Sequence, residues 1–296
     1  MTGLLDRLAG GDVLVADGAM GTLLMEHGLE PGQCPEKFNL DCPEVLRQIA
    51  ERFMAAGADI LQTNTFGGTP VKLAQYGLDD RAEEINASAV LAVRDAIGDG
   101  AAYVSGSCGP CGKLLAPYGE ADPGVVREAF ARQARALVGA GVDMLCIETM
   151  TDLAEAVLAV EAVRSVSSSV PLAVTMTFDP TPNGFFTIMG TSIEQAARGL
   201  GDAGADIIGS NCGNGIGKMV EIAAELRRHS ALPLLIQSNA GLPELVGDQV
   251  VYAETPERMA EGCRQLLDLG VNIIGGCCGT TPEHIAAIRK RVDERR

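Results

Sequence analysis

Eight short apolar runs recur along the chain: Val13–Asp17, Ile60–Asn64, Tyr103–Cys108, Met144–Thr149, Leu172–Phe178, Ile207–Cys212, Leu234–Asn239 and Ile273–Cys278. Short apolar runs bounded by turn residues read as strands buried on both faces. The segments between them change period. Pro43–Ala56 sets Val45, Leu46, Ile49, Phe53 and Met54 at helical spacing, and Pro123–Ala140, Leu153–Val166, Ile216–Arg228 and Pro256–Leu269 do the same. Strands alternating with helices predict parallel strands joined by crossovers. Eight such units predict an α/β fold, a (β/α)8 TIM barrel forming one domain over 1–296. A doubly wound open sheet is the runner-up.

A smaller repeat supports that register. Ala56-Gly57-Ala58-Asp59, Ala140-Gly141-Val142-Asp143, Ala203-Gly204-Ala205-Asp206 and Leu269-Gly270-Val271-Asn272 precede the second, fourth, sixth and eighth runs. Each glycine reads as a helix C-cap. The 296 residues, 47% hydrophobic with 4% aromatics and no Trp, suit one large core of small aliphatics. A net charge of −16 argues against a phosphate-backbone partner, since nucleic-acid binders present basic patches. No apolar run approaches membrane-spanning length, and the opening residues do not read as a secretory signal. Nine cysteines without such a signal predict a reducing, cytoplasmic setting, where metal binding or reactivity is expected before disulfides.

Barrels of this class carry their chemistry at the C-terminal ends of the strands. Here those ends hold Asp17, Asn64, Cys108, Glu148, Thr177, Asn211 with Cys212, Asn239, and Cys277 with Cys278. Three of these residues are the sharpest signal. Cys212 closes one run, and Cys277 and Cys278 close another inside Gly-Gly-Cys-Cys-Gly. Strands six and eight end on one rim, so the sulfurs can converge. Three thiolates suit Zn2+ and leave a tetrahedral ion one open position, the mark of a catalytic site. Asp17-Gly18-Ala19-Met20-Gly21-Thr22 follows the first strand, and its exposed amides are suited to a carboxylate. Glu148 ends an apolar strand and needs a partner, which a substrate ammonium would supply. Asp17 and Glu148 together describe an amino-acid pocket.

Other polar signals are weaker. Cys108-Gly109-Pro110-Cys111 is a CxxC without the thioredoxin pattern around it. Cys34, Cys42, Cys146 and Cys263 read as packing residues. His284 follows Thr281-Pro282-Glu283, an N-cap with Pro at the first helical position. His27 and His229 fall at helix ends, and no histidine is assigned to chemistry.

Asp17-Gly18-Ala19-Met20-Gly21-Thr22, Asn64-Thr65-Phe66-Gly67, Ile147-Glu148-Thr149, Asn211-Cys212 and Gly275-Gly276-Cys277-Cys278-Gly279-Thr280-Thr281-Pro282-Glu283-His284 resemble the homocysteine S-methyltransferase family. Within it they are similar to the homocysteine-binding module of cobalamin-dependent methionine synthases. The likeness runs from about Leu14 to His284. It implies a β/α barrel, zinc on Cys212, Cys277 and Cys278, and Asn239 as a displaceable fourth ligand. It also implies that the substrate ammonium meets Asp17 and Glu148, and the substrate carboxylate the amides near Gly18 and Ala19. The implied activity is methylation of homocysteine to methionine. No Asp-x-His-x-x-Gly cobalamin signature occurs, so methylcobalamin is expected only as donor on a separate corrinoid protein.

Three departures from the family pattern stand out. They are Gly213-Asn214-Gly215-Ile216-Gly217 after Cys212, the apolar Asn183–Met189 stretch, and the two extra cysteines 108 and 111. Alternatives therefore stay open: a sulfonium donor such as S-methylmethionine, another thiol acceptor, a CxxC thiol–disulfide protein, or a non-catalytic subunit of a corrinoid system.

Overall fold

The computed structural model describes residues 3–247 and 249–295. Eight parallel strands carry the fold: β1 (Leu14–Val15), β2 (Ile60–Gln62), β3 (Tyr103–Cys108), β4 (Met144–Met150), β5 (Leu172–Met176), β6 (Ile207–Asn211), β7 (Leu234–Ser238) and β8 (Ile273–Gly276). Their order around the sheet is β1-β8-β7-β6-β5-β4-β3-β2, and a parallel bridge from Ala16 to Ile60 closes the ends. This is the predicted α/β barrel. The expected helices form at Pro43–Ala55, Pro123–Ala140, Leu153–Val166, Ile216–His229 and Pro256–Asp268. Local chemistry sets their starts. Asp122, Asp152 and Thr255 accept first-turn amides through their side chains, and proline follows Asp122 and Thr255 at the first helical position.

The N-terminal face of the barrel shows what the small repeat does. Gly57, Gly141, Gly204 and Gly270 all have positive φ, as C-capping requires. The acid or amide two residues later does more than end a helix. Asp59 accepts the Val15 amide at 2.9 Å, Asp143 the Val104 amide at 2.7 Å, and Asp206 the Leu172 amide at 2.8 Å. Asn272 accepts the Leu234 amide at 3.0 Å. Each odd strand thus begins on the side chain of the even strand beside it. An arginine clamps each acceptor: Arg289 on Asp59, Arg94 on Asp143, Arg164 on Asp206 and Arg227 on Asn272.

The barrel interior is graded. Its lower layer is apolar, with Leu14, Ile60, Tyr103, Met144, Ile207 and Ile273 packed over Leu4 and Leu8 of the Leu4–Ala9 helix. Toward the C-terminal rim it turns polar, through Gln62, Ser105, Ser107, Thr175, Asn211 and Gln237, all at barrel-strand positions. The larger core lies between the strands and the surrounding helices.

Two antiparallel hairpins rise from the rim. Asp179–Thr181 pairs with Gly184–Phe186 after β5, and Pro243–Val246 pairs with Gln249–Tyr252 after β7. They stand on either side of β6. Neither was foreseen beyond the apolar character of residues 183–189. Rim insertions lie outside the strand–helix period that reveals the barrel.

Candidate metal and amino-acid site

Cys212 follows β6, and Cys277 and Cys278 follow β8, so β7 lies between them. The end of β7 holds both segments: Cys212 donates its amide to the Gln237 carbonyl at 3.1 Å and Cys277 to the Ser238 carbonyl at 2.7 Å. The turn after β8 needs its glycines. A Cβ on Gly276 would lie 2.3 Å from Thr280 Oγ1, and Gly279 has φ +76° with the Tyr252 ring on its Cα. The three sulfurs lie within 4.8 Å of one another, with Cys212 and Cys278 Sγ 3.8 Å apart.

These sulfurs titrate together. The Cys212 thiol is pushed down because its neighbours Cys277 and Cys278 donate to it, and theirs are pushed up in return. A metal ion favours the thiolate form of each sulfur it holds. Sulfurs on a tetrahedral ion with bonds of about 2.3 Å sit roughly 3.8 Å apart, so the spacing fits zinc. Asn239 adds a second observation. It is 3% exposed beside Cys212, and its Oδ1 is buried with no hydrogen-bond partner among the described residues.

The cysteines open into a cavity of about 280 Å3, walled also by Gly18, Ala19, Glu148 and Phe66. Glu148, on β4, is buried and bonded to neutral donors. The Ser107 hydroxyl and Gln62 Nε2 (3.3 Å) reach Oε1, and Asn211 Nδ2 (3.3 Å) reaches Oε2. Among the described residues, no lysine or arginine forms an ion pair with it. Burial pushes its carboxyl up to about 7; the Ser107 and Gln62 hydrogen bonds oppose that, and the charge on Cys212 adds to it.

Asp17 sits differently from the expectation. It is 2% exposed and is not part of the cavity wall. Its Oδ2 accepts the Gln62 amide at 2.8 Å, while Oδ1 is buried without a hydrogen-bond partner among the described residues. Burial drives its carboxyl up to about 8, the Gln62 amide opposes that, and the nearby Glu148 charge adds to it. The amides of the first loop divide as well. Gly18 and Ala19 reach the cavity, but the Ala19 N–H already donates to Thr280 Oγ1 at 3.2 Å. Thr280 is free to accept because its own hydroxyl proton goes to the Cys277 carbonyl at 2.7 Å.

The CxxC is packing. Cys108 and Cys111 are free thiols, 2% and 0% exposed, and neither borders the cavity. Burial pushes the Cys111 thiol up to about 12 and raises Cys108 further, aided by the Glu148 charge. Reactive cysteines have the opposite character, exposed and easily ionised. His284 caps its own helix: its Nδ1 lies 3.1 Å from the Thr281 amide and its Nε2 2.9 Å from the Glu254 carbonyl oxygen.

Gln62 and Ser107 also line this cavity and were not singled out in advance; Thr149, another lining residue, was read only as part of the Ile147-Glu148-Thr149 motif. Asn211 was read only as part of the Asn-Cys doublet. That doublet was the one sequence signal that could have raised it.

Three thiols and a buried carboxylate with no ion-pair partner among the described residues thus meet at one rim of a parallel barrel. The chain belongs to the homocysteine S-methyltransferase family, whose model matches residues 14–292. It is 33% identical to the methionine synthase of Mycobacterium leprae and 34% identical to that of Mycobacterium tuberculosis. Each match covers 98% of this chain and 25% of the relative, so the chain spans about a quarter of these relatives' length. The fold also matches the homocysteine methyltransferase MmuM from Escherichia coli. Its metallated form gives a TM-score of 0.78 at 25% identity, over 97% of this chain and 99% of that one. Its oxidized form gives 0.77 at 25% identity, over 97% and 98%.

Proposed function

We propose that residues 1–296 act as one barrel unit, a zinc-dependent methyltransferase that converts homocysteine to methionine with a methyl group from an external methylcorrinoid protein. The observation that carries the reading is one cavity with three sulfurs within 4.8 Å on one side and Glu148 on another. Cys212, Cys277 and Cys278 would hold the zinc, with Asn239 as the displaceable fourth ligand. When bound, zinc favours the thiolate form of the substrate sulfur near neutral pH, where a free thiol of pKa about 8.5 is only a few per cent ionised.

The chain's own residues do the rest. Glu148 accepts the substrate ammonium, and Ser107, Gln62 and Asn211 hold its oxygens in place. Asp17 stands behind the wall, where its Oδ2 accepts the Gln62 amide and helps to fix the strand that carries Gln62. Gly18 and the first turn of the Met20–Glu26 helix face the carboxylate; the Ala19 amide serves that group only indirectly, by fixing the loop on Thr280. The homocysteine sulfur loses its proton and takes the methyl carbon. The new S–C bond forms as the bond from carbon to the donor breaks, and that electron pair leaves with the donor.

The rim supports a macromolecular donor. Tyr118 after β3 and Ile188 after β5 are each 78% exposed, and Leu245 on the β7 hairpin is 75% exposed. Large apolar side chains gathered at one end of a barrel mark an interaction surface. No described helix is long and apolar enough to cross a membrane. The cytoplasmic setting remains part of the proposal.

The test is turnover of the zinc-loaded chain with homocysteine and three donors: a methylcorrinoid protein, free methylcobalamin and S-methylmethionine. Ile188→Glu with Leu245→Glu should slow the corrinoid-protein reaction and spare that with free methylcobalamin. Turnover with the sulfonium alone would assign a small-molecule donor instead.

A further inference from the structure

Asn211 ends β6 with its side chain buried completely, at 0% exposure. It makes an unusual set of contacts for one amide. Its Oδ1 accepts the Thr149 N–H at 2.8 Å and the Thr175 hydroxyl at 2.7 Å. Its Nδ2 donates to Thr149 Oγ1 at 2.8 Å. The same nitrogen lies 3.3 Å from Glu148 Oε2 and 3.9 Å from Cys277 Sγ, the latter within reach of a sulfur acceptor. One side chain therefore touches the carboxylate assigned to the substrate amine and a sulfur assigned to the metal.

The backbone around it is strained. Thr149 and Cys212 both have φ near +60°, and they are the non-glycine residues with positive φ among those described. Such a conformation is disfavoured for a residue with a Cβ and persists only where the surroundings enforce it. Thr149 follows Glu148, and Cys212 follows Asn211. Asn211 grips Thr149 by both its amide and its hydroxyl. The strained peptide that aims Glu148 is thus held by the residue that precedes the first cysteine.

We propose that Asn211 is a positioning residue that ties the amine site to the sulfur cluster, holding Glu148 and Cys277 in register so that a substrate spans both. The inference rests on the roles proposed above for Glu148 and the three cysteines. Asn211 touches neither the reacting methyl group nor the donor. A strand-end carboxylate and a strand-end thiol from different strands have no local means of fixing their separation. An amide supplies one here: with one N–H on Thr149 Oγ1, its second is shared between Glu148 Oε2 and Cys277 Sγ.

The experiment measures two affinities in each variant of the full chain. Zinc affinity is read by competition with a chromophoric chelator. Amino-acid affinity is read with norvaline, whose side chain has no sulfur, on the zinc-loaded protein. Glu148→Gln should lower only the second and Cys277→Ala should lower the first. Asn211→Ala should lower both, each by roughly tenfold to a hundredfold, the usual range for an outer-shell partner of a metal ligand. Asn211→Leu refills the space without polar atoms and reads the same two affinities if alanine unfolds the barrel. In the Glu148→Gln background, Asn211→Ala should cost norvaline little further, because its effect runs through Glu148. Loss of one affinity only, of neither, or fully additive losses in norvaline would overturn the inference. If Glu148→Gln leaves norvaline binding intact, or Cys277→Ala keeps full zinc, the functional reading itself fails and this inference falls with it.

Discussion

The two ends of the barrel treat polar groups in opposite ways. At the N-terminal face, Asp59, Asp143, Asp206 and Asn272 each accept a strand amide and each meet an arginine. At the C-terminal rim, Asp17 and Asn239 each keep a buried oxygen without a hydrogen-bond partner among the described residues, and Thr149 and Cys212 hold strained backbone. Glu148 is buried there with neutral donors alone. The contrast separates what holds the fold from what the fold is for. Arg289 Nε is the exception at the first face, buried without a partner among the described residues. Buried polar groups with partners stabilise, and those without cost stability.

The sharpest way to break this contrast is to remove a rim sulfur. Cys277→Ala should drop zinc from about one per chain to near zero and abolish methyl transfer, since a catalytic zinc keeps three protein ligands. Metal analysis checks it, and full zinc retention would remove the metal centre from the rim.

Glu148→Gln comes next. A charge-assisted hydrogen bond contributes roughly 1.5–3 kcal/mol, so the homocysteine dissociation constant should rise by about one to two orders of magnitude. Zinc occupancy should stay at the wild-type level. Titration of homocysteine into the zinc-loaded variant reads it, and an unchanged affinity would make Glu148 structural.

The opposite face supplies the mirror experiment. Asp206→Ala strands the Leu172 amide, which it now holds at 2.8 Å, and removes the ion pair with Arg164 at 2.7 Å, leaving that guanidinium on the Gly204 and Val170 carbonyls. A stranded buried donor costs about 1–3 kcal/mol. Denaturant unfolding should show that loss while homocysteine affinity stays put. A large loss of affinity with no loss of stability would erase the division between the faces.

A pH series sharpens the comparison further. Asp17 has its carboxyl raised to about 8, so the folded state holds a proton that the unfolded chain releases near pH 4. The unfolded state then binds fewer protons across that window, and stability from this group falls as pH rises. The contribution is full below about pH 4 and is lost by the time pH passes 8. Asp17→Asn should flatten this decline in thermal unfolding between pH 5 and 8.5. An identical slope in wild type and variant would show that Asp17 does not titrate as its burial dictates.

The smallest effect is expected from Cys108→Ala combined with Cys111→Ala. Both thiols are buried away from the cavity wall, so methyl transfer under reducing conditions should stay within about twofold, as for changes outside a working site. A turnover assay decides it, and a large loss would return the CxxC to the chemistry.

Much of the barrel was legible because its signal is local. Eight apolar runs alternate with segments of helical spacing, five of them clear, and strands β3 and β4 formed at or within a residue of their apolar runs, Tyr103–Cys108 and Met144–Thr149. The rim cysteines were legible too, since glycine flanks and strand-end addresses are both written in short windows. The hairpins after β5 and β7 were not, because they interrupt the period rather than obey it. The fourfold Gly-x-Asp/Asn repeat was seen but read only as helix capping. Its side chains bond to strand amides 34 to 44 residues away, from Asp206 to Leu172 up to Asp59 to Val15.

By itself, the sequence determined the alternation that closes a parallel barrel, the rim on which Cys212, Cys277, Cys278, Glu148 and Asp17 all end, and the family to which they belong. Only the tertiary structure decided which of these face one another. It placed Glu148 in the cavity wall and Asp17 behind it, buried Cys108 and Cys111, and gave Asn211 its grip on Glu148 and Cys277. It also engaged the Ala19 amide with Thr280, 261 residues away in the chain. Strand ends are set by local pattern, but the direction of a side chain there and the partner it finds depend on neighbours that barrel closure brings together from distant parts of the chain.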